Sequence, residues 1–203
     1  MRHFSFRPSV TMSGRENRGL RGLAGKPFHP PLTDIPIAAY LFAAVFDIVS
    51  AALPGGHSAL ARQLFVAGTW TVLGGVAVSL LAALTGWADW HRSSEPGTQA
   101  RRTINAHAII MLTVTAVAAV DLVLRLAAYE DRTSAPIVIA VLSAVAALLI
   151  SVGATYGGGL VFDYGFNVET AGDHPVWHSN EVDVFPGGHG PDSDPVDQQA
   201  APA

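Results

Sequence analysis

Four long apolar segments alternate with short polar ones along the chain, and this pattern predicts four helices. The segments run over 35–54, 64–88, 104–127 and 135–156. Each meets the requirement of about 20 residues for a helix that crosses a hydrocarbon layer of about 30 Å. Proline, glycine and charged residues separate one segment from the next. We therefore predict an all-α fold, a bundle of four transmembrane helices.

The segments outside this bundle are polar. Residues 1–26 and 169–203 lack apolar periodicity, so we predict a disordered basic N-terminal arm and a disordered acidic tail around a membrane domain at 27–168. Only 14% of the chain is charged and 50% is hydrophobic, whereas a soluble domain carries about a quarter charged residues. A buried helical bundle in a soluble protein is the alternative, but four such runs leave too little polar surface to cover them.

The distribution of basic residues predicts the orientation of the bundle. Six of the 12 Lys and Arg residues lie in residues 1–26, and three more lie in 92–102, on the same predicted side. The opposite side has the remaining three. The positive-inside rule then puts both termini in the cytoplasm of a bacterial inner (plasma) membrane, with the lipid bilayer as the first partner. The net charge of −4 is carried by the acidic tail and indicates no nucleic-acid partner.

The chain contains no cysteine. This excludes disulfides, covalent c-type haem attachment, cysteine-ligated iron–sulfur clusters and thiolate zinc sites. The sequence also lacks a GxSxG nucleophile motif and a phosphate-binding Walker loop, so no enzyme class is predicted.

Small residues mark the faces on which we expect the helices to pack. At 100° per residue, such a face on the second helix ends in Asp89, so we expect Asp89 to point into the bundle. His91 projects away from this face. We predict a similar face on the fourth helix. No internal repeat is evident from the sequence. The two faces consist of Gly75, Ser79, Ala82, Gly86 and Asp89, and of Ser143, Ala147 and Ser151.

Three ionisable residues lie inside the predicted spans. Asp121 and Arg125 are one helical turn apart on the third helix, and Asp47 falls at about the same depth on the first. Such groups are costly in lipid and usually face the bundle interior. We expect Asp47, Asp121 and Arg125 to form an intramembrane polar network, with a proton or ligand path as the alternative.

A second group of polar residues gathers at the cytoplasmic end by topology alone. The start of the first helix, the end of the second and the start of the third bring together His29, Asp34, Asp89 and His107. We expect the prolines of HPPLTDIP to hold His29 on an extended approach, with Thr33 or Asp34 capping the helix. A carboxylate beside an imidazole orients the ring and raises its basicity, which suits a metal or haem ligand or a quinol-binding base. An Asp–His hydrogen bond that only holds helices together is the structural alternative.

Four short motifs also occur in order along the chain: HPPLTDIPI at 29–37, TGWADW at 85–90, RRTINAH at 101–107 and GGGLVFDYGFNV at 157–168. In these motifs the chain resembles a bacterial four-helix integral membrane domain of unknown function, which also occurs fused to Rieske-type or cytochrome-type redox modules. The resemblance covers about residues 27–168.

The resemblance implies a membrane domain that associates with redox partners. His29, Asp89, Trp90 and His107 match the motif positions of the family. This chain carries no redox module after Val168, only an acidic tail, so a complete electron-transfer role does not follow from the resemblance alone.

The leading functional hypothesis is a redox-associated domain that binds a b-type haem or a quinone. We assign cofactor binding to His29, Asp89 and His107, and iron ligation to His29 and His107, with respiratory or other redox membrane proteins as partners. The main alternative is a non-catalytic subunit or assembly partner of a larger membrane complex. A small channel or transporter that uses the intramembrane network is a third hypothesis, although the spans lack the broken helices typical of transporters.

Overall fold

The computed structural model describes residues 27–53 and 59–166, and four helices account for most of them. All four are long and apolar enough to cross a membrane, which confirms the predicted all-α, four-helix membrane fold. The two tails that we predict to be disordered lie outside the described residues. The helices are α1, His29–Ala52; α2, Ala59–Ser93; α3, Gln99–Ala128; and α4, Ile137–Phe162.

The first helix begins earlier than the apolar pattern predicts. α1 starts at His29, so the predicted extended approach is wrong. Pro30 and Pro31 occupy the first helical turn, where a missing backbone N–H costs nothing and a fixed φ favours the helix. The hydroxyl of Thr33 donates to the Pro30 carbonyl (2.7 Å) within this turn and is not a cap.

The connection between α2 and α3 is short and well defined. α2 continues past its apolar segment to Ser93, and the side chain of Thr98 caps α3 by accepting a hydrogen bond from the Arg101 backbone N–H (3.1 Å). His91 is exposed, and its ring stacks on Trp87, with ring centroids 5.8 Å apart. It therefore faces away from the bundle interior, as predicted.

Each helix packs against two neighbours around a closed ring. α1 and α3 both pack against α2 and α4, and consecutive helices run antiparallel. α1 packs closely on α2 where Tyr40 lies over Gly75, since a Cβ at that glycine would lie 2.7 Å from the Tyr40 ring. The Tyr40 hydroxyl is 2.8 Å from the Ser79 hydroxyl and forms a buried hydrogen bond between α1 and α2.

The buried faces follow the prediction on α2 but not on α4. Along α2 the predicted small-residue face is turned into the bundle. On α4, Ser143 is buried, but Ser151 is exposed and donates to the Ala147 carbonyl (2.8 Å), so the predicted face is wrong there. Steps of four residues drift by about 40° each around a helix. The buried face instead alternates steps of three and four residues, through Ser143, Ala146, Ile150 and Gly153.

Candidate functional site

The His29 ring is held against α2 by its Nδ1 nitrogen. Nδ1 lies 2.9 Å from the Ala82 carbonyl oxygen and 3.1 Å from the Thr85 hydroxyl. A carbonyl only accepts, so Nδ1 carries the ring hydrogen and Nε2 keeps its lone pair. The ring lies on Gly86, where an added Cβ would be 2.8 Å from the His29 Cε1 atom. Glycine at this position therefore makes room for the imidazole.

The His107 ring is held against α4 in the same way. Its Nδ1 lies 2.8 Å from the Gly153 carbonyl oxygen, which again assigns the hydrogen to Nδ1 and the lone pair to Nε2. The ring packs over Gly157, where an added Cβ would be 3.1 Å from the His107 Cε1 atom. In both cases the glycine follows the accepting carbonyl by four residues, so it lies one turn further on the same face.

The two imidazoles face each other across the bundle. Their ring centroids are 6.5 Å apart and their planes are 85° to each other. Both rings use Nδ1 for the bond to a neighbouring helix. The orienting groups are thus main-chain carbonyls, where we had expected a carboxylate.

A cavity of about 920 Å³ surrounds the pair, and its walls are mostly apolar. It lies at the end of the bundle where α1 and α3 begin and α2 and α4 end. The structure brings all four residues of the predicted cluster to this cavity. His29, Asp34, Asp89 and His107 all line it, together with Trp90 and Met111.

Trp90 near the end of α2 and Asn105 near the start of α3 both line the cavity. Trp90 Nε1 donates to the Asn105 side chain (2.8 Å), and the Arg101 guanidinium lies over the Trp90 ring, 3.8 Å from its centroid. Arg101 also donates to the carbonyls of Trp90 (2.9 Å) and Ser94 (3.1 Å). The Arg101 guanidinium therefore holds the face of the Trp90 ring, and Asn105 holds its N–H edge.

In the part of the chain that the structure describes, no group of three or more His, Asp or Glu residues is arranged to hold a metal ion. A site with two imidazoles alone does not supply the closed ligand set of a structural zinc site. Two imidazoles would, however, be enough protein ligands for haem iron, because the porphyrin supplies the others.

The second predicted group lies towards the opposite end of the bundle. Arg125 Nη1 donates to Asp47 Oδ1 (3.1 Å), and Nη2 forms a salt bridge with Asp47 Oδ2. Arg125 Nε and Nη2 also donate to Asp121 Oδ2 (3.1 and 3.0 Å). The hydroxyls of Ser143 and Thr69 complete the shell of Arg125, at 2.9 and 3.4 Å. The structure thus joins Asp47, Asp121 and Arg125 in one network.

The first pair of helices, α1 and α2, and the second pair, α3 and α4, bury residues at corresponding positions, although the sequence shows no evident repeat. Arg125 follows Asp47 by 78 positions, and His107 follows His29 by the same interval. Four of the five buried residues of α3 lie 78 positions after a buried residue of α1, and six of the seven buried residues of α4 lie 71 positions after a buried residue of α2. Both facing pairs, the two histidines and Asp47 with Arg125, therefore join equivalent positions of an internal repeat.

Sequence reasoning missed the groups that orient the imidazoles. The acceptor carbonyls belong to Ala82 and Gly153, and main-chain acceptors have no sequence signature. The spacing of Gly86 and Gly157, each four positions after an acceptor residue, is present in the sequence. It can be interpreted only once the structure shows which helix each imidazole contacts.

Comparisons with known proteins give one match. Residues 25–170 match the family described as predicted membrane protein (DUF2231). No curated protein and no solved structure matches the chain. The matched segment spans well over half of the chain and contains all four helices and both polar groups. The chain therefore belongs to the DUF2231 family of predicted membrane proteins.

Proposed function

We propose that the cavity binds a b-type haem and that the protein transfers electrons in the membrane. The observation that carries this proposal is the geometry of His29 and His107, whose ring centroids are 6.5 Å apart. Two imidazoles that bind one metal ion have their ring centres at most about 6.3 Å apart, given a metal–nitrogen bond of about 2.0–2.1 Å and roughly 1.1 Å from ring nitrogen to ring centre. The distance between the two rings is close to this value, so both would be able to hold one iron.

The hydrogen bonds of the two rings support the same role. An imidazole ligand usually donates its other N–H to a carbonyl or carboxylate, which fixes the tautomer and the orientation of the ring. Both Nδ1 atoms are used in this way, by the carbonyls of Ala82 and Gly153. Each ring thus presents its Nε2 lone pair, and neither needs to lose a proton before it binds a metal.

The cavity suits an apolar cofactor. Its volume of about 920 Å³ lies in the range of ligand sites, and most of its lining is apolar. When bound, haem would supply one-electron chemistry. His29 and His107 would hold its iron, and the apolar walls of the cavity would exclude water from it. Asp89 is buried and lines the same cavity.

In this proposal the electron partner is another redox protein of the membrane. The resemblance to domains fused to Rieske-type or cytochrome-type modules motivates this part of the proposal. We further propose that the cavity lies near the cytoplasmic face of a bacterial inner membrane, with both termini in the cytoplasm; the distribution of Lys and Arg supports this orientation.

The test of haem binding is an absorption spectrum of the detergent-purified protein, expressed with a haem supply and recorded before and after dithionite reduction. We expect a Soret band at one haem per chain, lost in both His29→Ala and His107→Ala. His91→Ala is the matched control, since His91 is exposed at the end of α2, and it should retain the band.

Three outcomes overturn the haem proposal. They are an absent Soret band, an unchanged band in either histidine variant, and a band that disappears equally in the His91→Ala control. If a quinone co-extracts with the wild-type protein in place of haem, the cavity binds a quinone instead.

The orientation is tested by a reporter enzyme fused after Ala203. We expect a reporter that folds only in the cytoplasm to be active, and a reporter that requires the periplasm to be inactive. The reverse pattern contradicts the proposed orientation and places the histidine cavity at the outer face of the membrane.

A non-catalytic subunit is the second candidate function, because the bonds from His29 and His107 also tie α1 to α2 and α3 to α4. This candidate predicts that the protein purifies with a larger membrane complex and that His107→Ala preserves the cellular phenotype. A loss of phenotype at an unchanged protein level contradicts it.

A further inference from the structure

The buried network of Asp47, Asp121 and Arg125 contains more acid than base. All three residues are at most 1% exposed. With both acids ionised the network carries one net negative charge. An uncompensated charge is very costly away from water, and in practice a buried group of this kind takes up or loses a proton.

The hydrogen bonds show which acid neutralises the guanidinium. Asp47 uses both carboxylate oxygens, because Oδ1 accepts from Arg125 Nη1 and Oδ2 accepts from Arg125 Nη2 and from the Ser143 hydroxyl (2.6 Å). This is the fork-to-fork geometry of a strong Arg–carboxylate pair. Gly68 makes room for it, since a Cβ there would lie 2.8 Å from Asp47 Oδ1.

Asp121 is bound through one oxygen only. Its Oδ2 accepts from Arg125 and lies 3.2 Å from the Ser143 hydroxyl. Its Oδ1 is buried and, among the residues that the structure describes, has no hydrogen-bond partner. A buried anionic oxygen without a donor is unfavourable, whereas a protonated oxygen at the same place carries no charge to solvate.

The internal repeat also distinguishes Asp47 from Asp121, and this argument does not depend on their hydrogen bonds. Asp47 and Arg125 occupy equivalent positions of α1 and α3 and pair with each other. The position in α1 that corresponds to Asp121 is Ala43, which is also buried. An apolar residue therefore suffices at this position of the repeat, and Asp121 is the one acid beyond the paired set.

We propose that Asp121 is a proton-binding site and that its side chain is a neutral carboxylic acid in the folded protein at neutral pH. The carboxylate binds one proton, and Asp47⁻, Arg125⁺ and the protonated Asp121 then sum to zero charge. Thr69 of α2 and Ser143 of α4 face the network with neutral hydroxyls, and neither helix contributes another charged group to its bonded shell. The proposal does not depend on haem binding.

The test is infrared spectroscopy of the full chain in lipid nanodiscs at pH 7, in H₂O and in D₂O. We expect the carbonyl-stretch band of a protonated carboxylic acid, shifted downward in D₂O and by ¹³C labelling of aspartate. Asp121→Asn should remove this band. Asp47→Asn should remove it too, because Asp121 then ionises to neutralise Arg125. Asp34→Asn, at an exposed position of α1, should leave it unchanged.

Another protonated aspartate in the protein would add to the same band. Subtracting the spectrum of each variant from that of the wild type identifies the network, because only its component is lost in both Asp121→Asn and Asp47→Asn. The proposal is overturned if folded Asp121→Asn protein retains the whole band. It is also overturned if ¹³C-aspartate labelling of the wild type shifts no band, a result that needs no variant to fold. His107→Ala should keep the band, so failure of the haem proposal leaves this result unaffected.

Discussion

Arg125→Gln is expected to lower the free energy of unfolding by about 3–5 kcal/mol, the cost of removing one partner from a buried ion pair. The substitution removes the positive charge that neutralises the buried Asp47 carboxylate, and it removes the N–H groups that donate to Asp121. Titration from a mild detergent into SDS, followed by circular dichroism, measures the change. Arg102→Gln is the matched control, because Arg102 is exposed and its side chain bonds to the nearby Gln99 and Gly97. We expect a change within about 0.5 kcal/mol there.

A triple variant distinguishes a charge effect from a packing effect. Arg125→Gln combined with Asp47→Asn and Asp121→Asn restores neutrality at nearly the same volume, and we expect it to recover most of the lost stability. If the triple variant is as unstable as Arg125→Gln alone, the guanidinium stabilises the bundle through its shape and its contact with Phe65, over which it lies at 5.5 Å, and charge balance is not the cause.

Gly86→Val and Gly157→Val are each expected to lower haem affinity by about 10- to 100-fold, the usual effect of disturbing the groups that orient a ligand. An added Cβ would lie 2.8 Å from the His29 ring at position 86 and 3.1 Å from the His107 ring at position 157. The branched side chain pushes the imidazole off its carbonyl acceptor, although both histidines are still present. Haem titration of the apoprotein, read at the Soret band, measures the affinity.

Gly74→Val is the matched control on the same helix, since nothing lies within 4 Å of a Cβ added there. We expect this variant to bind haem like the wild type and to be slightly more stable, because glycine inside a helix is unfavourable by about 0.5–1 kcal/mol relative to alanine. Wild-type affinity in both ring-side valine variants would falsify the proposed role of the carbonyl-held rings.

The two groups are far enough apart to be tested independently. His107 and Asp121 are 14 positions apart on α3, which corresponds to about 21 Å at 1.5 Å per residue. Substitutions this far apart, with no shared partner, usually have additive effects. A change in haem affinity caused by Asp121→Asn would therefore indicate an energetic coupling between the two ends of the bundle.

The same repeat that pairs the histidines also explains why both ends of the bundle carry facing pairs. Equivalent positions of two hairpins that pack around a common axis meet at that axis, so a residue in one half faces its counterpart in the other. At one end the counterparts are identical, His29 and His107, and at the other end they are opposite in charge, Asp47 and Arg125. An axis of this kind along the membrane normal is a known arrangement of repeats in membrane proteins.

Several features of this protein follow from the sequence alone. The length and apolarity of the four segments determine that four helices form, because a continuous apolar segment of about 20 residues satisfies all its backbone hydrogen bonds in lipid within one helix. The 3.6-residue period determines that Asp89, Asp121 and Arg125 face inward, since each lies on a small-residue or polar face. The order of the helices places His29, Asp89 and His107 at one end.

Tertiary structure decided the rest. The start of α1 at His29, the carbonyls that hold the two imidazoles and the single-oxygen bonding of Asp121 depend on how the helices are rotated against each other. The repeat became visible only through the buried positions. The two halves bury corresponding positions of their helices, although the residue types at those positions differ. The physical reason is that hydropathy and period act within one helix, whereas main-chain acceptors, close approaches at glycine and charge balance arise only between helices.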